Sequence, residues 1–401
     1  MSNHTIRPQA PGRRKLAVTA GALLGFSLGA SALHAGEMPM SSKGGMPPAP
    51  EDKDWCDSLW GYTTLYKDPN NAFLQELSFT GRFQADYGFV DGNTPDDDAT
   101  WDGYNTRRFR AGLKAKIFQD FILHGEVDLD PDDGLFYNKL TDAYIAYAPS
   151  KAFKLTVGKH SMPFTQEGST SSKEILTIDR SALANNLWFP EEYLPGVSVS
   201  GTKDNWVYHT GLYSSGAASP EFGDFDGGLA YLASLGYDFA SQMGVDQALL
   251  RFDYVYNDPN ENNSFTRNLE NIGSLNFNMK NGKFGLRTDL AGATGYFGQP
   301  DLWAVMVMPF YDLTEKIQVV TRYTHVESDG NDGVRFSRYE TEAVSGRGDS
   351  YDEIFLGLNY YICGNKLKFQ TGVDYANMND DAHNGGEYDG WGVTGAFRLS
   401  W

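Results

Sequence analysis

The chain closes on Trp391-Gly392-Val393-Thr394-Gly395-Ala396-Phe397-Arg398-Leu399-Ser400-Trp401, and the alternation in this stretch decides how the rest is read. Trp391, Val393, Gly395, Phe397, Leu399 and Trp401 share one face of an extended strand, while Thr394, Arg398 and Ser400 share the other. Successive side chains of a strand point to opposite faces, so one side of this segment is apolar and the other polar.

The same phase recurs upstream. Phe109, Ala111, Leu113, Ala115 and Ile117 alternate with Arg108, Arg110, Lys114 and Lys116. Phe121, Leu123, Val127 and Leu129 alternate with His124, Glu126 and Asp128, and Phe284, Leu286 and Leu290 with Lys283, Arg287 and Asp289. Tight-turn signals at Gln119–Asp120, Asp204–Asn205, Asn281–Gly282 and Gly364–Asn365 take turns with long polar stretches such as Gly88 to Tyr104, His160 to Pro195 and Asp329 to Gly348. Short turns at one end and long loops at the other are the asymmetry of outer-membrane barrels, and the runs number about sixteen. Aromatics beside the tight turns (Phe118, Phe121, Phe153, Trp206, Phe239, Tyr311, Tyr361 and Trp401) predict an interfacial girdle. The expected fold is an all-β transmembrane antiparallel barrel, with one long loop folded into its lumen.

Composition agrees with that reading. Of 401 residues, 14% are aromatic and 44 are Gly, which suits strands and turns. A mean hydropathy of -0.44 is compatible with a membrane protein when every second residue faces a watery lumen. Arg13, Arg14 and Lys15, then the apolar stretch from Leu16 to Leu33 and the small residue Ala35, read as a secretory signal over residues 1–35. Residues 36–71, with Pro47, Pro48 and Pro50, are expected to be a flexible periplasmic extension, and 72–401 the barrel. The formal net charge of -19 disfavours nucleic acid as a partner. Outer-membrane lipid and lipopolysaccharide are the expected surroundings.

Enzymatic constellations do not assemble. Beyond the signal only His124, His160, His209, His325 and His383 remain, with no pair at metal-ligand spacing. Asp128, Asp130, Asp132 and Gly134 look like the start of a calcium loop, but Asp133 and Lys139 stand where it needs Gly and Glu. No catalytic residue, metal or cofactor is expected. Cys56 in the extension and Cys363 in a predicted periplasmic turn lie on one side of the membrane in an oxidising compartment, so a disulfide between them is expected, two unpaired thiols being the alternative.

The chemistry is expected in the lumen. By phase Arg82, Arg108, Arg110, Lys114, Lys116, Lys154, Arg251, Arg287, Arg322, Lys368 and Arg398 point inward, where confined cations attract anions. Glu126, Asp128, Asp253, Asp289 and Asp374 point inward too and act against them. The stretch from His160 to Pro195 is long enough to be functional. Its Ile175, Leu176, Ile178, Leu183, Leu187 and Trp188 would pin it to an inner wall while its hydroxyl and charged groups line a constriction.

At this loop the sequence resembles the phosphate-selective porin family, porins O and P. The resemblance lies in Leu155-Thr156-Val157-Gly158-Lys159, Pro163-Phe164, Glu167, Ser171-Ser172 and Asp179-Arg180-Ser181, and earlier in Arg107-Arg108, Gly112-Leu113-Lys114 and Leu140-Thr141-Asp142-Ala143-Tyr144. Ser161 departs from the family, which often has Lys there. The last strand similarly resembles the C-terminal signature read by the barrel-insertion machinery, with Trp401 where Phe is commonest. The resemblance implies a homotrimeric porin with a basic constriction passing phosphate or related anions. It makes Lys159, Ser171, Ser172 and Arg180 pore-loop candidates opposite Arg108, Arg110 and Lys114. A passive channel preferring small anionic solutes is therefore expected. A sugar-type or non-selective channel, an outer-membrane barrel enzyme and a structural envelope protein are the alternatives.

Overall fold

Sixteen alternating runs become strands that hydrogen-bond each to the next and close on themselves. They are β2 (Leu74–Asn93), β3 (Asp98–Ile117), β4 (Phe121–Asp130), β5 (Phe136–Ser150), β6 (Phe153–Ser161), β7 (Tyr193–Lys203), β8 (Trp206–Ser214) and β9 (Leu229–Asp238). The circuit continues through β10 (Gln247–Asn257), β11 (Leu269–Asn281), β12 (Phe284–Gly295), β13 (Leu302–Asp312), β14 (Ile317–Ser328), β15 (Ser350–Tyr361), β16 (Leu367–Asn379) and β17 (Tyr388–Ser400). All pairs are antiparallel, and β17 pairs with β2 from Asp389↔Asn93 to Ser400↔Arg82, which closes the barrel and leaves no free edge. The computed structural model describes residues 55–131, 136–187, 192–216, 221–223, 225–263 and 265–401. The expected signal, the stretch 36–54, Asp132, Asp133, Gly134 and Trp188 lie outside the described residues.

Burial follows the predicted phase. In β17 Trp391 and Val393 are exposed on the outer face, whereas Thr394, Arg398 and Ser400 are buried inside. Leu113, Leu123 and Leu290 face outward, and Arg108, Arg110, Glu126 and Asp289 are buried. Of the expected girdle, Phe118, Phe153, Trp206 and Tyr311 are exposed. Tyr361 is not: it is buried, its hydroxyl donates to Gln318 Oε1 (3.0 Å), and its neighbour Tyr360 takes the outer position. A one-residue error in phase moves a side chain to the other face. The tight turns use left-handed backbone where the sequence offers Gly, at Gly282 and Gly364, both with φ 57°.

The extension departs from the flexible segment expected of it. From Trp55 the chain forms α1 (Trp55–Gly61) and a short strand β1 (Thr64–Lys67) paired antiparallel with the start of β2. Cys56 is disulfide-bonded to Cys363, and the buried Trp60 donates Nε1–H to the Ser400 carbonyl (2.6 Å). A covalent bond, a hydrogen bond and a strand pairing supply the order that local sequence could not.

Candidate functional site

After β6 the chain turns into the lumen instead of back along the rim. In the following loop Met162, Phe164, Ile175, Ile178, Leu183 and Leu187 are buried, and helix α2 (Ala182–Leu187) packs on β12, β13 and β14. Each such burial is worth about 1.5–3 kcal/mol, enough to hold the loop against the wall.

Wall side chains then tie the loop's backbone. Arg251 donates to the Thr165 carbonyl (2.9 Å), Lys368 to Ile175 (2.9 Å), Asn359 to Leu176 (2.8 Å), Arg398 to Ile178 (2.9 Å) and Arg322 to Asp179 (2.9 Å). Arg82 donates to Ser172 Oγ (2.6 Å) and Gln84 to the Ser172 carbonyl (2.9 Å). In the other direction the Gln166 amide donates to Asp289 Oδ2 (2.7 Å), and Lys173 donates to the Trp401 carbonyl (2.8 Å). The same arginines also pair with wall carboxylates: Arg82 with Glu126 (3.2 Å), Arg251 with Asp253 (2.8 Å), Arg322 with Glu353 (2.8 Å), and Arg398 with Asp86.

These bonds divide the inward cations into two groups. Arg82, Arg251, Arg322, Lys368 and Arg398 are buried on the inner face as the phase predicts, and each bonds the inward loop, the arginines neighbouring acids as well. They act as staples between the wall and the inward loop. The period of two says which face a side chain takes, not what lies against that face. Arg287 sits over the Phe310 ring (5.8 Å) and Lys154 over Tyr144 (5.5 Å). Lys114, Lys116 and Ser171 are exposed, and Lys159 is buried with its ammonium donating to the Glu221 carbonyl. Ser172 is buried under Arg82 and Gln84.

The second group surrounds a cavity of about 820 Å³ between the loop, β3 and the long loops. Arg107, Arg108, Arg110, Lys139, Arg180, Arg267, Arg335, Arg338 and Arg347 line it, against only Asp128, Asp179 and Glu192, so its charge is opposite to that of the acidic chain. Arg107 was missed by phase because β3 bulges there: Gln84 pairs with Arg108 but Ala85 with Thr106. The extra residue brings two consecutive arginines to the inner face. Arg267, Arg335, Arg338 and Arg347 come from loops, where period-two reasoning has no hold. Three arginines in the predicted loop Asp329 to Gly348 were the available signal.

The acids of the cavity are engaged. Arg110 donates to Tyr193 Oη (2.6 Å) and pairs with Asp128 (3.3 Å) and Glu192 (3.6 Å). Asp179 lies between Arg107 (3.5 Å) and Arg338 (3.6 Å). Burial pushes the Asp179 carboxyl up, but Arg107 and Arg338 outweigh it and hold it at about 2. Arg335 and Arg347 make no side-chain hydrogen bond or ion pair among the described residues. Burial, then repulsion from Arg335 and Arg347, lowers Arg267 to about 10; burial and Arg347 do the same to Arg335. Both remain charged at neutral pH, and a bound anion would relieve their repulsion.

An aromatic row also runs along the inner wall, His124 to Tyr144 (5.3 Å), Tyr144 to His160 (6.1 Å) and His160 to Tyr213 (5.1 Å). Tyr213 is 1% exposed and His160 6%, so these two rings are packed, whereas His124 and Tyr144 are half-buried. Among the described residues no group of three or more His, Cys, Asp or Glu could hold a metal ion.

A closed sixteen-stranded barrel with a polar lumen crossed by one inward loop is a porin, an outer-membrane channel for passive diffusion. The sequence model of the phosphate-selective porin O and P family matches residues 77–303, and the chain belongs to that family. No curated protein matches the sequence. Among solved structures, the outer membrane channel DcaP of Acinetobacter baumannii is similar, at 14% identity over 83% of this chain and 99% of that one, with a TM-score of 0.54. In-vitro folded OmpT of Vibrio cholerae is similar at 13% identity, 84% and 99% coverage and 0.53. OmpF of Salmonella typhi, in complex with daunomycin, is similar at 11% identity, 84% and 100% coverage and 0.54. At these identities the likeness is one of fold.

Proposed function

We propose that this porin prefers anions and passes phosphate or related oxyanions, in a homotrimer held in outer-membrane lipid and lipopolysaccharide and inserted through its C-terminal strand. The observation that carries the reading is the cavity between the inward loop, β3 and the long loops, with nine cations against three acids. Guanidiniums bind oxyanions through paired, charge-assisted hydrogen bonds, and a confined field of one sign concentrates the opposite ion. The family to which the chain belongs, named for phosphate selectivity, supports the same choice.

Planar-bilayer recording in a salt gradient tests it. The reversal potential is expected to shift toward the chloride equilibrium potential, and phosphate to reduce the chloride current. Replacing Arg335 and Arg347 together with Gln is expected to move the reversal potential back toward zero at unchanged barrel stability, because neither side chain makes a hydrogen bond or ion pair among the described residues, whereas Arg267 is left in place because it donates to the Asn185 carbonyl of the inward loop. A wild-type reversal potential on the cation side would sink the proposal.

A further inference from the structure

We propose that Glu192 is a tethered anion seated among the arginines of the cavity, where it competes with the permeating oxyanion for Arg110 and its neighbours and so speeds release. The proposal rests on the anion reading above. Glu192 stands at the end of the inward loop, immediately before β7, and lines the cavity together with Arg108, Arg110 and Arg180. Its Oε1 is 3.6 Å from Arg110 Nη1, beyond hydrogen-bond distance. The same Nη1 is already bonded to Tyr193 Oη at 2.6 Å. The staples are built differently: Arg251–Asp253 and Arg322–Glu353 close to 2.8 Å. Glu192 also has a side-chain hydrogen bond with Tyr193, but toward Arg110 it is held by charge at 3.6 Å without a hydrogen bond, and that contact is the one a permeating anion can exchange.

The remaining partners fit that role. The one side-chain hydrogen bond of Arg108 among the described residues goes to Gln84 Oε1 (3.0 Å), which leaves donors for a second acceptor. Burial pushes the Glu192 carboxyl up, yet Arg110, Arg180 and Arg108 outweigh it and hold it well below the usual carboxylate range. It is therefore an anion throughout the working pH range. A channel must bind its ion well enough to admit it and weakly enough to release it. Without Glu192, Asp128 on Arg110 (3.3 Å) would remain beside the three guanidiniums, and they would hold a multivalent oxyanion longer; a second carboxylate on the same donors lowers that affinity.

The test is phosphate block of chloride current in planar bilayers, comparing wild type with Glu192→Gln and Glu192→Asp. In Glu192→Gln half-block is expected at about a tenfold lower phosphate concentration, equivalent to about 1.4 kcal/mol, with the reversal potential moved further toward chloride. Glu192→Asp withdraws the carboxylate by one methylene, and its half-block is expected at about a threefold lower concentration. Should Glu192→Gln fail to assemble, judged by heat-modifiable mobility, the Asp variant decides alone. Wild-type block in the assembled variants, with the reversal potential still on the anion side, overturns the role of Glu192. A wild-type reversal potential on the cation side overturns the anion reading instead.

Discussion

Arg398→Ala is expected to cost the barrel about 3–5 kcal/mol and to enlarge its conductance, because one side chain serves both the wall and the loop. Arg398 is 2% exposed and Asp86 1%. The guanidinium bonds Asp86 and donates to the Ile178 carbonyl (2.9 Å). Truncation leaves Asp86 buried, with Tyr339 (3.2 Å) as its remaining hydrogen-bond donor, and removes one tie of the inward loop. The measurements are the temperature at which electrophoretic mobility shifts on heating and the single-channel conductance. Pairing Arg398→Met with Asp86→Leu separates the two effects. Stability should largely return, since no buried charge is stranded, while the conductance stays raised. A single variant as heat-stable as wild type would show that the pair carries little of the barrel's stability.

Opening the Cys56–Cys363 bond should have a comparable effect on stability and a different signature in function. The residues it joins are 307 apart in sequence, and the loop-closure model gives such a cross-link about 6 kcal/mol through the unfolded chain. In the folded chain the bond fixes α1 beside the junction of β17 and β2, with Trp60 bonded to Ser400 and β1 paired to β2. Cys56→Ser, or reduction of the wild type, is expected to lower the heat-modification temperature. Conductance and ion preference should not change, because no element of the clasp lines the arginine cavity. Unaltered thermal behaviour on reduction would overturn this account, and a changed ion preference would place α1 nearer the conduction path than its contacts indicate.

Much of this protein was legible in one dimension. A period of two, the spacing of turns and the change from short to long connections determined a closed barrel, its strand number and the face taken by Arg108, Arg110, Glu126 and Asp289. The side of the membrane shared by Cys56 and Cys363 followed from the same alternation. These are local properties, since each depends on the residues next in sequence. The roles of the inward cations were not legible. Arg398 and Arg108 follow the same phase, yet one is spent on Ile178 and Asp86 while the other lines the cavity.

That division exists only once a loop from after β6 has folded across strands far from it in sequence. Arg107 needed a bulge, which shifts the register by one residue without a distinctive sequence. Arg267, Arg335 and Arg347 needed loops from different hairpins to converge over β3. The sequence by itself determined the wall, because alternation is enforced residue by residue between lipid and water. Tertiary structure alone decided which charges the lumen presents, because a side chain's freedom to meet a solute depends on what the rest of the chain has already placed against it.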